Sequence, residues 1–498
     1  MKLFADKRLQ YECENIIRLF IPEVGIVKCD TGEFGESALD GDYVFVGIDP
    51  AAKGDEKAFP EVKVEVSLEG KSYLKSASAD ESFGDAPGEI AAATLIYEIF
   101  SEVFGFAPRW GILTGVRPAK LFARKTEELG SEKAAAEYFS KVLLVSKEKT
   151  ALAADTVSSQ DIAAGYSSPD SYSLYVSIPF CPSRCSYCSF VSHSVEKTAA
   201  MVEPYVGLLI KELEKTAEIA RENSLKLKTI YFGGGTPTQL SADQLDRLLC
   251  AVEENFELSG LLEYTVEAGR PDTVTEEKLE VLKKHSVTRI SINPQTMHNS
   301  VLEKIGRKHT SEDMLDAFYL ARKCGFDNIN TDLIAGLPHD DVKGFCSSLD
   351  KIIELAPENI TVHTLSLKRS SRLVTSNAAE YKALSTSVNE MLGYAANRLY
   401  KAGYSPYYLY RQSKTVGNME NVGWSKEGFD CLYNIYMMNE LHTVLSAGAG
   451  AVTRLKAPHS SEIERIFNFK YPYEYISRFD EIIERKQGVT AFYEKYRI

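Results

Sequence analysis

No run of about 18 apolar residues occurs in the 498-residue sequence, which excludes an ordinary membrane-spanning helix. The first residues, MKLFADKRLQYECENII, lack the apolar centre and small-residue cleavage site of a secretory signal, so a cytoplasmic location is expected. Basic residues are in the minority: 57 Lys and Arg against 70 Asp and Glu leave a net charge of −13. Such an average field repels phosphate backbones and anionic lipid, and no nucleic acid is expected as a partner. A sum of charges does not, however, report where a local basic pocket sits. Cysteine is sparse, nine residues in all, yet three fall within eight positions, which speaks against a disulfide framework and for a metal or redox site. There is no internal repeat beyond an alternation of short strands and helices, and no low-complexity tract longer than one linker-like stretch.

What is present reads as a globular enzyme, with hydrophobic residues at 44% and charged residues at 26%. At roughly 150 residues per domain the length implies two or three domains. Residues 1–156 are expected to form an N-terminal accessory α/β domain, with a strand in GDYVFVGI and a hairpin in EVKVEVSLEGKSYLKSAS turning at Glu69-Gly70. Helical patterns follow in EIAAATLIYEIFSEVF and from Glu127 to Asp155. The Ser-, Gly-, Asp- and Pro-containing stretch 157–173 reads as a linker. Over 174–375 the segments LYVSI, TIYFGG, EYTVEA, RISINP, NINTDLI and ITVHTLSL alternate with helical patterns. Six such units imply an α/β fold with a parallel sheet, doubly wound or curved into a partial (β/α)6 barrel. Either architecture gathers ligands at the C-terminal ends of its strands. Residues 376–498, with helical AAEYKALSTSVNEMLGYAANRLYKAG and tyrosine-rich YSPYYLYRQ, are expected to form a C-terminal α+β region that covers substrate.

Cys181, Cys185 and Cys188 follow directly on the first of these strands, in LYVSIPFCPSRCSYCSF. Thiolates suit iron, and three on one short loop can hold three corners of a cubane while the fourth iron stays open to a ligand. A closed structural zinc site needs a fourth ligand, which neither Ser189, Phe190 nor the solitary His193 supplies at knuckle spacing. Cys13, Cys29, Cys250, Cys324, Cys346 and Cys431 stand alone and read as ordinary packed residues. The C-x-x-x-C-x-aromatic-C spacing, with Tyr187 as the aromatic residue, resembles the defining motif of the radical S-adenosylmethionine (SAM) superfamily. The resemblance implies a [4Fe–4S] cluster whose open iron is chelated by SAM, and cleavage of the sulfonium to a 5′-deoxyadenosyl radical.

Gly233, Gly234 and Gly235 in TIYFGGGTPTQL stand just after the second strand, where the missing Cβ lets backbone approach a ligand. Alone, a glycine triplet is more often a tight turn; with Thr236 it resembles the superfamily segment that receives the SAM amino group. Glu267, Gln295, Arg307 and Asp332 lie at further strand ends. Each by itself is more often a solvated or salt-bridged residue, but as a set they suit a zwitterionic, ribose-bearing ligand, which needs carboxylates, a cation and hydroxyl acceptors.

From Tyr175 to about Val452 the chain resembles the oxygen-independent coproporphyrinogen III dehydrogenases (oxidases) through LYVSIPFCPSRCSYCSF, GGGTPT, VEAGRPD, RISINPQT, IGRKHT, NTDLIAGLP and GAGA in order. With VRPAKL and PYYLYRQ the whole-length pattern is most similar to the HemZ-type branch. The resemblance implies SAM contacts from Tyr175, Gly234, Gly235, Thr236, Glu267, Gln295, Arg307 and Asp332. It also implies a porphyrinogen substrate and an electron donor such as flavodoxin or ferredoxin. The chain departs from the studied dehydrogenases at Phe190, where they carry a further cysteine, and this bears on the reaction rather than on the cluster. It departs from the haem-chaperone branch at Tyr433-Asn434-Ile435-Tyr436-Met437-Met438, where that branch has a His-Asn-x-x-Tyr-Trp motif; His442 is out of register and reads as a packed or surface residue. A tetracarboxylate substrate calls for cations, and Lys368, Arg369, Arg372 and Arg411 are candidates, with a solvated basic run as the alternative. Besides oxidative decarboxylation of coproporphyrinogen III, the motifs leave open a haem- or tetrapyrrole-binding carrier and a radical SAM enzyme that modifies haem or another tetrapyrrole.

Overall fold

The computed structural model describes all residues except 23, 36–40, 50–58, 189–191, 367–377, 413–414 and 497–498. The chain forms two compact units, one of Met1–Val157 with Thr375–Asn389 and Tyr410–Glu420, the other of Ser158–Val374 with Glu390–Leu409 and Asn421–Ile498.

The first unit begins with β1 (Lys2–Phe4), α1 (Gln10–Phe20), β2 (Val27–Cys29), β3 (Tyr43–Asp49), β4 (Glu61–Leu68) and β5 (Lys71–Ser78), and its sheet runs β2-β1-β3-β4-β5. Glu69 and Gly70 both have positive φ, as a two-residue hairpin matched to strand twist requires. Next come α2 (Pro87–Phe104), α3 (Pro118–Leu129), α4 (Glu132–Lys141) and α5 (Lys147–Ala164). α2 buries Ala91, Ala92, Leu95, Ile96, Ile99 and Phe100, and it packs on β4 and β5.

Composition misreads the segment after this. The Ser-rich stretch expected as a linker is the last turns of α5, in which Gln160 is buried, followed within a few residues by the next strand. That strand is β6 (Ser171–Ile178), then the short pair β7 (Phe180–Cys181) and β8 (His193–Ser194), α6 (Val195–Glu222), β9 (Lys226–Gly234), α7 (Ala242–Asn255), β10 (Glu263–Glu267) and α8 (Glu276–Lys284). There follow β11 (Arg289–Ser291), α9 (Asn299–Lys304), α10 (Ser311–Lys323), β12 (Ile329–Ala335), α11 (Val342–Leu355) and β13 (Asn359–Thr364). The strands β6, β9, β10, β11, β12 and β13 are parallel neighbours in chain order, the partial (β/α)6 architecture expected. Seven of the eight residues of β6 are buried, as for a strand covered on both faces.

The remaining elements are α12 (Ala378–Lys401), β14 (Ser405–Arg411), β15 (Glu420–Ser425), α13 (Leu432–Asn439), β16 (Thr443–Ala447), β17 (Val452–Lys456), β18 (Ile463–Phe467), α14 (Pro472–Ser477) and α15 (Phe479–Tyr496). They do not make a sheet of their own. β15 adds antiparallel to β13, and β16 adds parallel to β6, so a single sheet runs β14-β15-β13-β12-β11-β10-β9-β6-β16-β17-β18.

Arg411 is not a rim cation. It is 2% exposed in the first unit, where its Nη1 donates to the carbonyls of Leu113 (2.6 Å) and Gly115 (3.3 Å) and its Nε to that of Asn418 (3.1 Å). Such a guanidinium holds chain segments together. Lys368, Arg369, Arg372 and Phe190 lie outside the described residues.

Candidate active site

The cysteine loop leaves the C-terminal end of β6 and is tied to two neighbouring strand ends. On one side the glycine turn after β9 comes close: the Gly235 amide donates to Ile178 O (2.7 Å) and the Thr236 amide to Phe180 O (2.8 Å). A Cβ on Gly235 would lie 2.7 Å from Phe180 O, and Gly234 sits at φ +105. These two glycines are required by backbone against backbone, whatever they do for a ligand. On the other side the segment after α9 grips the loop, through Ser186 N to Ile305 O (3.0 Å) and Ser183 Oγ to Gly306 O (2.9 Å).

Cys181, Cys185 and Cys188 are part-buried and take part in no disulfide among the described residues. Thr236 Oγ1 donates to Cys181 Sγ (3.4 Å), and Arg270 Nη1 reaches both Ser183 Oγ (3.2 Å) and Cys185 Sγ (3.8 Å) while its fork is held by Asp272. Burial pushes the Cys181 thiol up, and hydrogen bonds from Thr236 and Ser192 offset part of this. Donors and a cation directed at sulfur are what a thiolate-held, anionic cluster needs around it. Arg307, at the same loop, donates from Nη1 to Asn293 O (2.6 Å) and from Nη2 to the Tyr187 hydroxyl (3.2 Å), so the motif's aromatic residue and the arginine are one contact.

Strands β10, β12 and β13 bring Glu267, Asp332 and His363 together, Glu267 as the last residue of β10 and Asp332, expected at a strand end, in the middle of β12. Tyr231 OH donates to Glu267 Oε1 at 2.6 Å. Burial, with repulsion from Asp332 added, pushes the Glu267 carboxyl up to about 7 against that hydrogen bond. Burial would also raise Asp332, but His363, with its Nε2 3.7 Å from Oδ2, holds it below the usual carboxylate range, helped by Asn330. The same partnership raises His363 although burial works against its charge. Gln295 is locked beside them in the left-handed region at φ +67, its amide donating to Asp332 O (2.9 Å) and its carbonyl accepting from Ile334 N (3.0 Å). A non-glycine residue so placed costs energy that the surroundings must sustain, a pattern concentrated at functional sites. Tyr175, Tyr231 and Tyr433 stack, with ring centroids 4.5 Å apart for Tyr231–Tyr433 and 6.2 Å for Tyr175–Tyr231. Tyr433 therefore fills a wall of this site.

The candidates on the barrel thus stand in two groups, one at the cysteine loop with Arg270 and Arg307 and one of Glu267, Asp332 and His363 beside the stacked tyrosines. Among them, buried Gln295 Oε1 and Arg307 Nε have no partner among the described residues, nor has the neighbouring Asn293 Oδ1. Buried polar atoms left without partners in a folded chain call for an explanation such as a ligand. Three cysteine thiols on one loop, a cation, two carboxylates and unpartnered amide and guanidinium atoms fit an iron–sulfur cluster with a zwitterionic, ribose-bearing ligand. Sequence reasoning overlooked Arg270 and His363, although Arg270 lies in the quoted GRPD and His363 is the one ionisable residue of its strand. His442 is a packed residue, its Nδ1 and Nε2 each 2.8 Å from a serine hydroxyl, Ser167 and Ser173.

Residues 175–352 match the radical SAM superfamily. The oxygen-independent coproporphyrinogen-III oxidase-like protein HemZ of Bacillus subtilis is 38% identical over 489 residues, 97% of this chain and 95% of that one. Heme chaperone HemW of Lactococcus lactis is 36% identical over 285 residues, 56% of this chain and 68% of that one. Among solved structures, the radical SAM coproporphyrinogen III oxidase HemN of Escherichia coli is 21% identical with a TM-score of 0.48, over 65% of this chain and 72% of that one. The chain belongs to the radical SAM superfamily and, within it, to the family of HemZ-type coproporphyrinogen oxidase-like proteins. Radical SAM proteins use a [4Fe–4S] cluster and SAM. No helix among the described residues is long and apolar enough to cross a membrane.

Proposed function

We propose that this protein carries out the oxygen-independent oxidative decarboxylation of coproporphyrinogen III to protoporphyrinogen IX, as a cytoplasmic enzyme reduced by a flavodoxin- or ferredoxin-type donor. In this reading Cys181, Cys185 and Cys188 hold the cluster, and Tyr175, Tyr187, Gly233, Gly234, Gly235, Thr236, Glu267, Gln295, Arg307 and Asp332 form the SAM site. The bound cofactors supply the hydrogen-abstracting radical. Loss of hydrogen from a propionate β-carbon, then of CO2 and one electron, leaves a vinyl group, and the electron needs an acceptor.

The chain's own part is to position and exclude. Glu267 and Asp332 offer acceptors to an ammonium and to vicinal hydroxyls, Arg307 offers a cation to a carboxylate, and Arg270 and Thr236 steady the sulfurs. The stacked tyrosines beside Glu267 put apolar ring surface there and help to keep water from the reacting carbon. The observation that carries the reading is that the cysteine loop, tied to the glycine turn after β9, shares the barrel with the buried Glu267–Asp332–His363 group and with the unpartnered atoms of Gln295 and Arg307. The likeness to the coproporphyrinogen-III oxidase-like protein HemZ supports the substrate.

The similarity to heme chaperones favours a second reading, a tetrapyrrole carrier that keeps the cluster. Against it stands Tyr433, stacked in the wall where a haem-ligating histidine would be needed. The test is anaerobic incubation of cluster-loaded protein with SAM, reductant and coproporphyrinogen III, followed by chromatography. Protoporphyrinogen together with 5′-deoxyadenosine is expected. Stoichiometric haem binding without vinyl product would overturn the proposal in favour of the carrier, and deoxyadenosine without vinyl product would redirect it to another tetrapyrrole modification.

A further inference from the structure

One described group outside the barrel mouth unites three different ligand types. Asp246 and Cys250 stand one helical turn apart on α7, and His285 caps the end of α8 beside them. Their carboxylate oxygens, Sγ and Nε2 all lie within 4.8 Å of one another. The individual separations are 2.9 Å from His285 Nε2 to Asp246 Oδ1 and 3.9 Å from Cys250 Sγ both to Asp246 Oδ2 and to His285 Nε2. A tetrahedral zinc centre spaces such donors roughly 3.3–3.6 Å apart; since one Asp246 oxygen faces the imidazole and the other the thiol, the carboxylate must turn so that a single oxygen serves both, with shifts on the order of 1 Å.

A histidine that serves a metal through one nitrogen is oriented through the other, commonly by a carboxylate. His285 is placed for this: its side chain is 3% exposed, Nε2 faces Asp246 and Cys250, and Nδ1 lies 2.9 Å from Glu253 Oε2, close enough to orient the ring once the angle, not that of a hydrogen bond here, is adjusted. We propose that Asp246, Cys250 and His285 bind a thiophilic divalent cation of the Zn2+ class, with solvent in the fourth position and Glu253 orienting the imidazole. Thiol and imidazole donors select zinc-like ions over Mg2+ and Ca2+, which take oxygen ligands. Binding replaces the thiol S–H bond by a metal–sulfur bond, the proton passing to buffer, with no change of oxidation state. Lys284 Nζ, 2.6 Å from Asp246 Oδ1, competes for the carboxylate; its side chain is 62% exposed, so solvent takes it back at little cost. The ion would staple α7 to α8 on the outer helical layer.

The test adds zinc to anaerobic, cluster-loaded full-length protein, removes loose metal by gel filtration, and counts zinc and iron by mass spectrometry. About one retained zinc per chain with iron unchanged is expected, and the zinc absorption edge should report one sulfur at about 2.3 Å. Cys250→Ser and His285→Gln should each weaken retention by about tenfold or more, and Glu253→Gln by less than either. Iron content reports whether each variant folds, and the half-exposed Cys250→Ser stands as the test should His285→Gln fail. No retained zinc, zinc without a sulfur neighbour, retention unchanged in Cys250→Ser, or zinc gained only as iron is lost would each overturn the proposal.

Discussion

Two glutamates of the same unit meet opposite fates. Glu212, on α6, is fully buried and fully answered: Lys486 Nζ pairs with Oε1 at 3.0 Å, Asn468 Nδ2 donates to Oε1 at 2.7 Å, and Tyr475 OH and the Gly448 amide donate to Oε2 at 2.6 and 2.8 Å. Glu267, part-buried at the barrel mouth, has the Tyr231 hydroxyl as its donor and faces Asp332, and its carboxyl is pushed up to about 7. A charge enclosed by four donors belongs to the fold. One whose fold supplies a single donor and a repelling neighbour is held in readiness for something else. The same contrast explains the GAGA stretch. Gly448 at φ +99 lets the chain run against Ser177, and Tyr205 OH links Ala449 N to Ser177 O, each at 2.8 Å. That motif anchors the end of the strand from which the cysteine loop departs.

The largest effect that separates the two regions is on cofactor chemistry. Cys185→Ala should lose the cluster, measured as iron per chain, and with it all 5′-deoxyadenosine. Its unfolding free energy in urea should stay within about 1 kcal/mol of wild type, because among the described residues only contacts from Arg270 and Arg307 to the thiol are lost in the protein itself. Residual deoxyadenosine in this variant would break the assignment of the cluster. Glu212→Ala should do the reverse. It leaves the buried Lys486 ammonium without its counterion and three further donors without their acceptor, a change worth about 3–5 kcal/mol in urea denaturation. An unchanged midpoint would mean that the carboxylate is not structural.

How far each region can be read in advance follows from the range of the interactions that build it. The barrel strands are legible because each carries its own apolar run, and the cluster because three cysteines crowd one loop. β16–β18 are not, since β16 joins the sheet by pairing Thr443 with Tyr172, a partner chosen by tertiary packing rather than by any local pattern. The Ser-rich end of α5 was hidden for the same reason: buried Thr156 and Gln160 hold a helix that composition alone reads as a linker. Arg411 resembles a ligand-binding cation because the carbonyls that absorb it, Leu113 and Gly115, lie in a distant segment of the chain. Glu267 and Asp332 were legible as candidates, whereas their coupling through His363 was not, because residues on β10, β12 and β13 become neighbours only once the sheet has formed.

Glu267→Gln sharpens the comparison with a smaller effect of opposite sign. The folded-state value of Glu267 lies above its ordinary 4.5, so the folded protein keeps this proton longer than the unfolded chain does. Stability must then fall as pH rises from about 4.5 to about 7, with the full penalty present above that range. Glutamine keeps the acceptor for Tyr231 but has no charge to bury. The cofactor-free variant should therefore be more stable than wild type at pH 8 by roughly 1–3 kcal/mol, the low end reflecting the carboxyl's partial contact with solvent, and nearly equal to it at pH 5. SAM affinity should drop by about 10–100-fold if Glu267 receives the ligand's ammonium. A variant less stable than wild type at pH 8 would place Glu267 with Glu212, among the structural carboxylates.

Tyr231→Phe should change stability by a similar amount while removing no proposed ligand contact, and it isolates the one donor that Glu267 has among the described residues. The ring remains, so the stack with Tyr175 and Tyr433 is kept and only the hydroxyl is lost. That hydroxyl favours the ionised carboxylate; without it the Glu267 carboxyl must move further up and the decline of stability with pH must move with it. The cost should be about 1 kcal/mol at pH 5, where a neutral hydrogen bond is lost, and about 1.5–3 kcal/mol at pH 8, where the partner is charged. A loss equal at both pH values would mean that Glu267 does not titrate between them, and the contrast with Glu212 would then rest on the number of donors alone.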